Sequence, residues 1–226
     1  MASCAASEPH TAGTHPAASS DGSDNKSATT RPFLIREAGL PKGFPAPSRA
    51  GTIVLKDYPA CRLARVRSAE GTGANSMFRP LFNHIERNGI PMTAPVEIGY
   101  AATDAADTGA SEASPTKARA VSMAFLYGDR ETGNPGRDPA DSRVVVEDVP
   151  ALTVLSIGLR GNYTDDNFRT AIERLHTWIS ETPGRVRVVG PPRYLAYNSP
   201  FVPGFLKFGE VQLPVERITD ARTGQE

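Results

Sequence analysis

The sequence predicts an α+β fold in which a curved antiparallel sheet is covered by two helices. Three observations predict it. The ordered region carries an internal repeat, each copy holds one amphipathic helix, and the segments flanking each helix read as strands.

The repeat is visible when "VLKDYPACRLARV" (Val54 to Val66) is set against "VVEDVPALTVLSI" (Val145 to Ile157). Asp57, Pro59 and Ala60 meet Asp148, Pro150 and Ala151; Leu63, Ala64 and Val66 meet Val154, Leu155 and Ile157. Both copies read as strand, tight turn, strand, with proline fixing the backbone where no ladder donor is needed. The register continues into two helices. Phe78, Leu81, Phe82 and Ile85 share one helical face, as do Phe168, Ala171, Ile172, Leu175 and Ile179. Thr164 suits the N-cap of the second helix, with Asp165 and Asp166 at its positive end. Asn75 or Ser76 is expected to cap the first, which would put Pro80 in its first turn. Asn88-Gly89 and Pro183-Gly184 supply the stops. "VEIGY" and "VSMAFLY" follow the first helix, "RYLAYN" and "GEVQLPV" the second, so each half is a β-β-α-β-β unit and about eight strands are expected. Two polar stretches interrupt them, "AATDAADTGASEASPTKA" and "GDRETGNPGRDPADS".

Met1 to Pro32 contains no Leu, Ile, Val or aromatic residue and cannot bury enough apolar surface to offset the entropy of ordering. Residues 1–32 are therefore expected to form a disordered tail or tether, 33–216 the folded domain and 217–226 a C-terminal tail. The opening "MASC" loosely resembles the end of a lipoprotein signal but lacks the apolar stretch upstream. A lipid anchor at Cys4 follows only if Met1 is an internal start. Cytoplasmic and exported lipoprotein locations therefore both stay open. The formal charge is zero, with no basic cluster, which disfavours nucleic-acid binding. No apolar run approaches the ~20 residues of a membrane helix. Cys4 and Cys61 have neither metal spacing nor a disulfide framework.

"NGIPMTAPVEI" (Asn88 to Ile98) brackets Met92-Thr93 between Pro91 and Pro95, and it should hold those two residues at a pocket lip. With Phe78, Leu81, Phe82, Ile85, Asn88, Ile90, Met92, Thr93, Pro95 and Val96 in this spacing, the chain resembles the SOUL haem-binding family from about Ile53 to Val215. The closing "RYLAYNSPF…FGEVQLPV", with Glu210-Val211, resembles that family's final strands. The resemblance implies a distorted antiparallel β-barrel flanked by two helices and built from duplicated halves. It also implies binding of haem or a related tetrapyrrole in an apolar groove, as carrier, buffer or sensor. The architecture is related to gyrase-inhibitor-like small-molecule-binding domains.

The residues themselves support a pocket. Phe78, Phe82, Met92, Thr93, Phe125 and Glu210 are the candidate ligand-binding set. An iron–nitrogen bond needs an imidazole facing a cavity. Of four histidines, His10 and His15 fall in the tail, while His84 and His176 flank the apolar stripes of the two helices. His84 is the candidate axial ligand, although a histidine beside such a stripe is more often a surface residue. Cys61 lies opposite Leu152 in the repeat and reads as a small hydrophobe in the core. Arg79, Arg87 and Arg193 could meet propionates. Glu210 interrupts an otherwise apolar strand; it is either a solvent-facing residue or a pocket carboxylate. In the second case Glu210 with Tyr194 or Tyr197 could act as hydrolytic acid–base groups. No nucleophile elbow, phosphate loop or zinc spacing is present. A binding protein is favoured over an enzyme.

Overall fold

The computed structural model describes residues 35–68, 74–101 and 119–218. The expected tail with Cys4, His10 and His15 lies outside these residues, as do positions 102–118 and 219–226. Among them the strands are β1 (Ile53–Tyr58), β2 (Cys61–Arg67), β3 (Val96–Tyr100), β4 (Ala120–Leu126), β5 (Gly136–Arg137), β6 (Val144–Val149), β7 (Leu152–Arg160), β8 (Val186–Val188), β9 (Arg193–Ala196) and β10 (Phe208–Arg217). The helices are α1 (Ala74–Arg87) and α2 (Asp165–Glu181).

All ladders between these strands are antiparallel, in the order β1-β7-β10-β9-β3-β4-β2-β6-β5, with β8 on β10. The class is α+β, but the sheet is open, not the closed barrel that was expected. β1 and β5 are its edges, and β5 has only two residues, too short a ladder to close a ring. The sheet also has ten strands where about eight were expected, the short β5 and β8 being the additions. The Pro59-Ala60 and Pro150-Ala151 corners do not make hairpins. β1 lies on β7 and β2 on β6, so each corner hands the chain to a different neighbour.

Because side chains alternate along a strand, register assigns every residue to one of two faces. One face carries both helices. α2 begins at Thr164, whose hydroxyl accepts from the Asn167 amide at 3.2 Å. It buries Phe168, Ala171, Ile172 and Leu175 against Leu155, Ile157, Val211 and Leu213. α1 packs Met77, Leu81 and Ile85 on Ala64, Val66, Phe125 and Val146. This stripe is rotated from the expected one: Phe82 is exposed, Phe78 half-buried, and His84 takes the buried place. The helix already runs at Ala74, so Pro80 sits in its second turn, and Ser76 lies within the helix.

Among the described residues, the second face carries no helix. Residues 35–50 cross it as a strap. The strap is held by Ala94 N to Gly39 O (2.9 Å), Lys42 N to Gly128 O (2.9 Å) and Gly51 N to Gly158 O (2.8 Å). Pro41, Pro45 and Pro47 lack amide donors, so the strap covers a sheet face without leaving those positions unpaired. At Gly158 an added Cβ would meet Arg49 O at 2.6 Å; only glycine lets the strap lie this close. Phe44 turns its ring edge onto Tyr58, with centroids 5.0 Å apart, and packs near Cys61, Leu63, Ala124 and Leu126.

Cys61 is half-buried in that cluster, and its thiol is pushed up to about 11 by burial, with the Glu97 charge adding to the shift. In a Cys4→Ser variant, Cys61 should therefore react slowly with a disulfide reagent near neutral pH. Denaturant should release it to the rate of a free thiol. Rapid labelling of the native protein would contradict its assignment to the core.

Candidate functional site

Two polar constructions stand out, one on each side of the sheet. On the strap side, Glu210 of β10 is completely buried. Its Oε1 accepts from Lys56 Nζ and from the Ser48 amide, both at 2.6 Å. Its Oε2 accepts from the Tyr197 hydroxyl at 2.9 Å and from Gln212 Nε2 at 3.3 Å. Lys56 also donates to Ala46 O at 2.8 Å. The Tyr197 hydroxyl is pushed well above its ordinary range by burial, then by the adjacent carboxylate, so it stays protonated and donates. Burial pulls the Lys56 ammonium down against the opposing pull of Glu210. The array continues from Gln212 through Arg193 Nε (3.0 Å), from Arg193 to Glu97 (2.8 Å) and from Arg65 to Glu97 (3.0 Å).

On the helix side, α1 ends at a cleft of about 630 Å³. Its walls are His84, Arg87 and Asn88 to Ile90 on one side, and Thr132 to Ala140 on the other, with Tyr127 and Val146 among the lining residues. The second polar stretch of the sequence builds the far wall. Asp138 ties the two walls together, accepting from His84 Nδ1 at 2.6 Å and from Arg87 at 2.7 Å. With Nδ1–H given to the carboxylate, His84 Nε2 accepts from the Tyr127 hydroxyl at 2.7 Å. Burial works to raise the Asp138 carboxyl, but bonds from His84, the Ala140 amide and Arg87 outweigh it and hold it below its ordinary value. Burial pushes Tyr127 up to about 12. The volume lies within the ~300–1,000 Å³ of small-molecule sites.

A model of the SOUL heme-binding protein family matches residues 45–214, well over half of the chain. The chain belongs to the SOUL family. No curated protein matches it. Among solved structures, an EcmrR–DNA complex aligns with a TM-score of 0.54 at 16% identity, covering 74% of this chain and 58% of that one. An uncharacterized conserved protein from Listeria innocua aligns at 0.50 and 13% identity, covering 76% and 94%. A hydrolase from the same organism aligns at 0.49 and 12% identity, covering 76% and 94%. At such identities the likeness is one of fold. The SOUL chain spans little more than half of the EcmrR chain it matches.

The sheet divides the candidate residues of this SOUL protein. Phe125 of β4 lies on the helix side, where Phe78 meets it edge-on at 5.2 Å and stacks on Phe82 at 6.1 Å. Glu210 lies on the strap side, in register with Leu195, Glu97 and Ala124. Tyr197 meets it, but Tyr194 does not: it pairs with Val211 and packs on Tyr163 on the helix side. Thr93 is buried, donating to Leu126 O at 2.6 Å, while Met92 is exposed. The cleft is lined by Asn88, Gly89 and Ile90, the residues just before the bracketed pair. Both His84 nitrogens are occupied, and His176 is exposed on α2. Arg87 lines the cleft; Arg79 is exposed and Arg193 belongs to the strap-side array. Lys56, Gln212, Asp138 and Tyr127 were missed. Glu210 carried a signal, since it puts a charge into an otherwise apolar run of β10; Lys56, next to Asp57 in β1, carried a weaker one.

Two variants test the strap side. Glu210→Leu leaves the buried Lys56 ammonium without its counter-charge and takes an acceptor from Ser48, Tyr197 and Gln212, and should cost at least about 3–5 kcal/mol in urea unfolding. Lys56→Met leaves the carboxylate its other donors and should cost less; equal losses would mean those donors contribute nothing. The cleft is tested by pH. Because the folded Asp138 lies below the ordinary 3.8, its contribution is full above that value and is lost as pH falls through the folded one. The melting difference between wild type and Asp138→Asn should thus narrow below about pH 3.8.

Proposed function

We propose that the chain binds haem or a related anionic tetrapyrrole in the cleft at the end of α1, as a carrier, buffer or sensor. The cleft's make-up carries this reading. Ile90, Val146, Pro135 and Pro139 offer apolar surface, while Arg87 and Arg137 offer the cations a propionate pair requires. The SOUL membership supports haem as the ligand. His84 and Tyr127 already satisfy one another and Asp138, so the cleft suits a hydrophobic, weakly ligated mode. An iron bond to His84 would have to displace one of two short hydrogen bonds. We also infer that this chain is built from duplicated β-β-α-β-β halves. What supports this is the pairing order: exchanging β1, β2, β3 and β4 with β6, β7, β9 and β10 reverses the strand path onto itself.

A second reading, a gyrase-inhibitor-like binding domain or a hydrolase, rests on Glu210 and Tyr197 at 2.9 Å. That pair lies beneath the strap, and a ligand would first have to displace residues 46–48 from Lys56 and Glu210.

Titrating the full chain with haemin and following the Soret band tests the first reading. Arg87→Ala with Arg137→Ala should weaken binding by roughly tenfold, the loss of one to two charge-assisted contacts. His84→Gln should bind with little change. Loss of the Soret shift in His84→Gln, with normal melting, would make His84 the iron ligand. Undiminished binding by the double arginine variant would move the site elsewhere.

A further inference from the structure

We propose that the loop Ser199–Lys207 is a docking tip for an anionic lipid bilayer surface. Phe201 is 94% exposed and Phe205 77%, while the other exposed large apolar side chains lie between 38% and 46%. A single exposed apolar residue is ordinary; two nearly naked phenylalanines on one nine-residue loop are not.

The loop is built to present them. Val202 is buried beneath the tip, and Gly204–Leu206 closes a single 3-10 turn. At the base, the buried Asn198 accepts from the Phe208 amide at 2.9 Å and donates to Ile35 O at 3.0 Å. Glu37 accepts from the Ser199 amide and hydroxyl, each at 2.7 Å. The Tyr163 hydroxyl accepts from the Asn198 amide at 3.0 Å and donates to Phe208 O at 2.8 Å. Two separate segments, the strap and Tyr163, thus fix the stem while both rings are exposed. The strap also enters the fold at this stem, through Ile35.

Area and charge select the occupant. Two phenylalanine side chains amount to roughly 300–500 Å². A stable protein interface needs about 800 Å² on each partner. The tip is too small for that, but suits insertion of two rings at the headgroup–acyl boundary. The loop carries Lys207 and no carboxylate, and Lys207 Nζ stands over the Tyr163 ring at 5.4 Å. Arg36 adds a second positive charge at the stem, set against the Glu37 carboxylate, whose oxygens are taken up by Ser199. With the rings inserted, these side chains reach the headgroup phosphates by their long apolar stems.

Co-sedimentation of the full chain with vesicles tests this, using phosphatidylcholine alone and phosphatidylcholine with about one-third phosphatidylglycerol. The wild type should partition onto the anionic vesicles more strongly, and salt should weaken that preference. Phe201→Ser with Phe205→Ser should lower partitioning at least roughly tenfold while melting like the wild type. Lys207→Gln should reduce only the anionic preference. The proposal is overturned if the wild type binds neither vesicle or if the double variant binds undiminished. It is equally overturned if light scattering shows a wild-type oligomer that the double variant dissolves without any vesicle binding.

Discussion

A buried carboxylate must be met by donors, and Glu210 sets that requirement at the middle of the sheet. Its four donors come from the strap (Ser48), from β1 (Lys56), from the end of β9 (Tyr197) and from β10 itself. Moving any of those elements leaves a charge or a hydroxyl buried without its partner, which costs more than the bond itself contributes. The strap's path, the edge position of β1 and the corner after β9 are therefore not independent choices. The array reaches on through Arg193 and Glu97 to Arg65, so one connected set of charges spans most of the strap-side face.

The sheet then separates two kinds of work. On the strap side the Glu210 carboxylate is paired and covered, and the surroundings are apolar contacts of Phe44, Tyr58, Leu195 and Phe208. On the helix side the core is apolar, and the open volume lies at the end of α1, where the Thr132–Ala140 wall faces Asn88–Ile90. The ligand site proposed above lies on the open side. The closed side holds a Lys–Glu pair that substitutes internally for whatever a bare carboxylate would attract.

Much of this was legible in the sequence, because it rests on local pattern. Apolar periodicity located both helices, alternation found the main strands, and Thr164 marked its cap. Met92 and Thr93 were expected at a pocket lip, whereas Asn88 to Ile90 line the cleft, Met92 is exposed and Thr93 is buried. Glu210 and Tyr197 were named together, but Tyr194 was grouped with them wrongly. Three residues along a strand reverse the face, and which strand pairs with which was needed to see it. The phase of α1 was misjudged because Phe78 and Phe82 outweighed Met77 in the pattern, whereas burial of His84 with Asp138 and Tyr127 turned the helix. Nothing local links His84 to Asp138, more than fifty positions away.

The exchange of neighbours at the two proline corners has a consequence for how the chain reaches this structure. β1 finds its ladder on β7, about a hundred residues later, and β2 on β6 at nearly the same remove. β7 in turn needs β10, which also joins β9 and β8. Few of the contacts are local, so closure entropy is spent before most of the burial is gained, and high contact order slows folding. On the ribosome, the first β-β-α-β-β segment emerges with β1 and β3 unpaired along an edge, awaiting partners not yet synthesised. Completion of the sheet waits for β10, and until then exposed strand edges are an aggregation hazard.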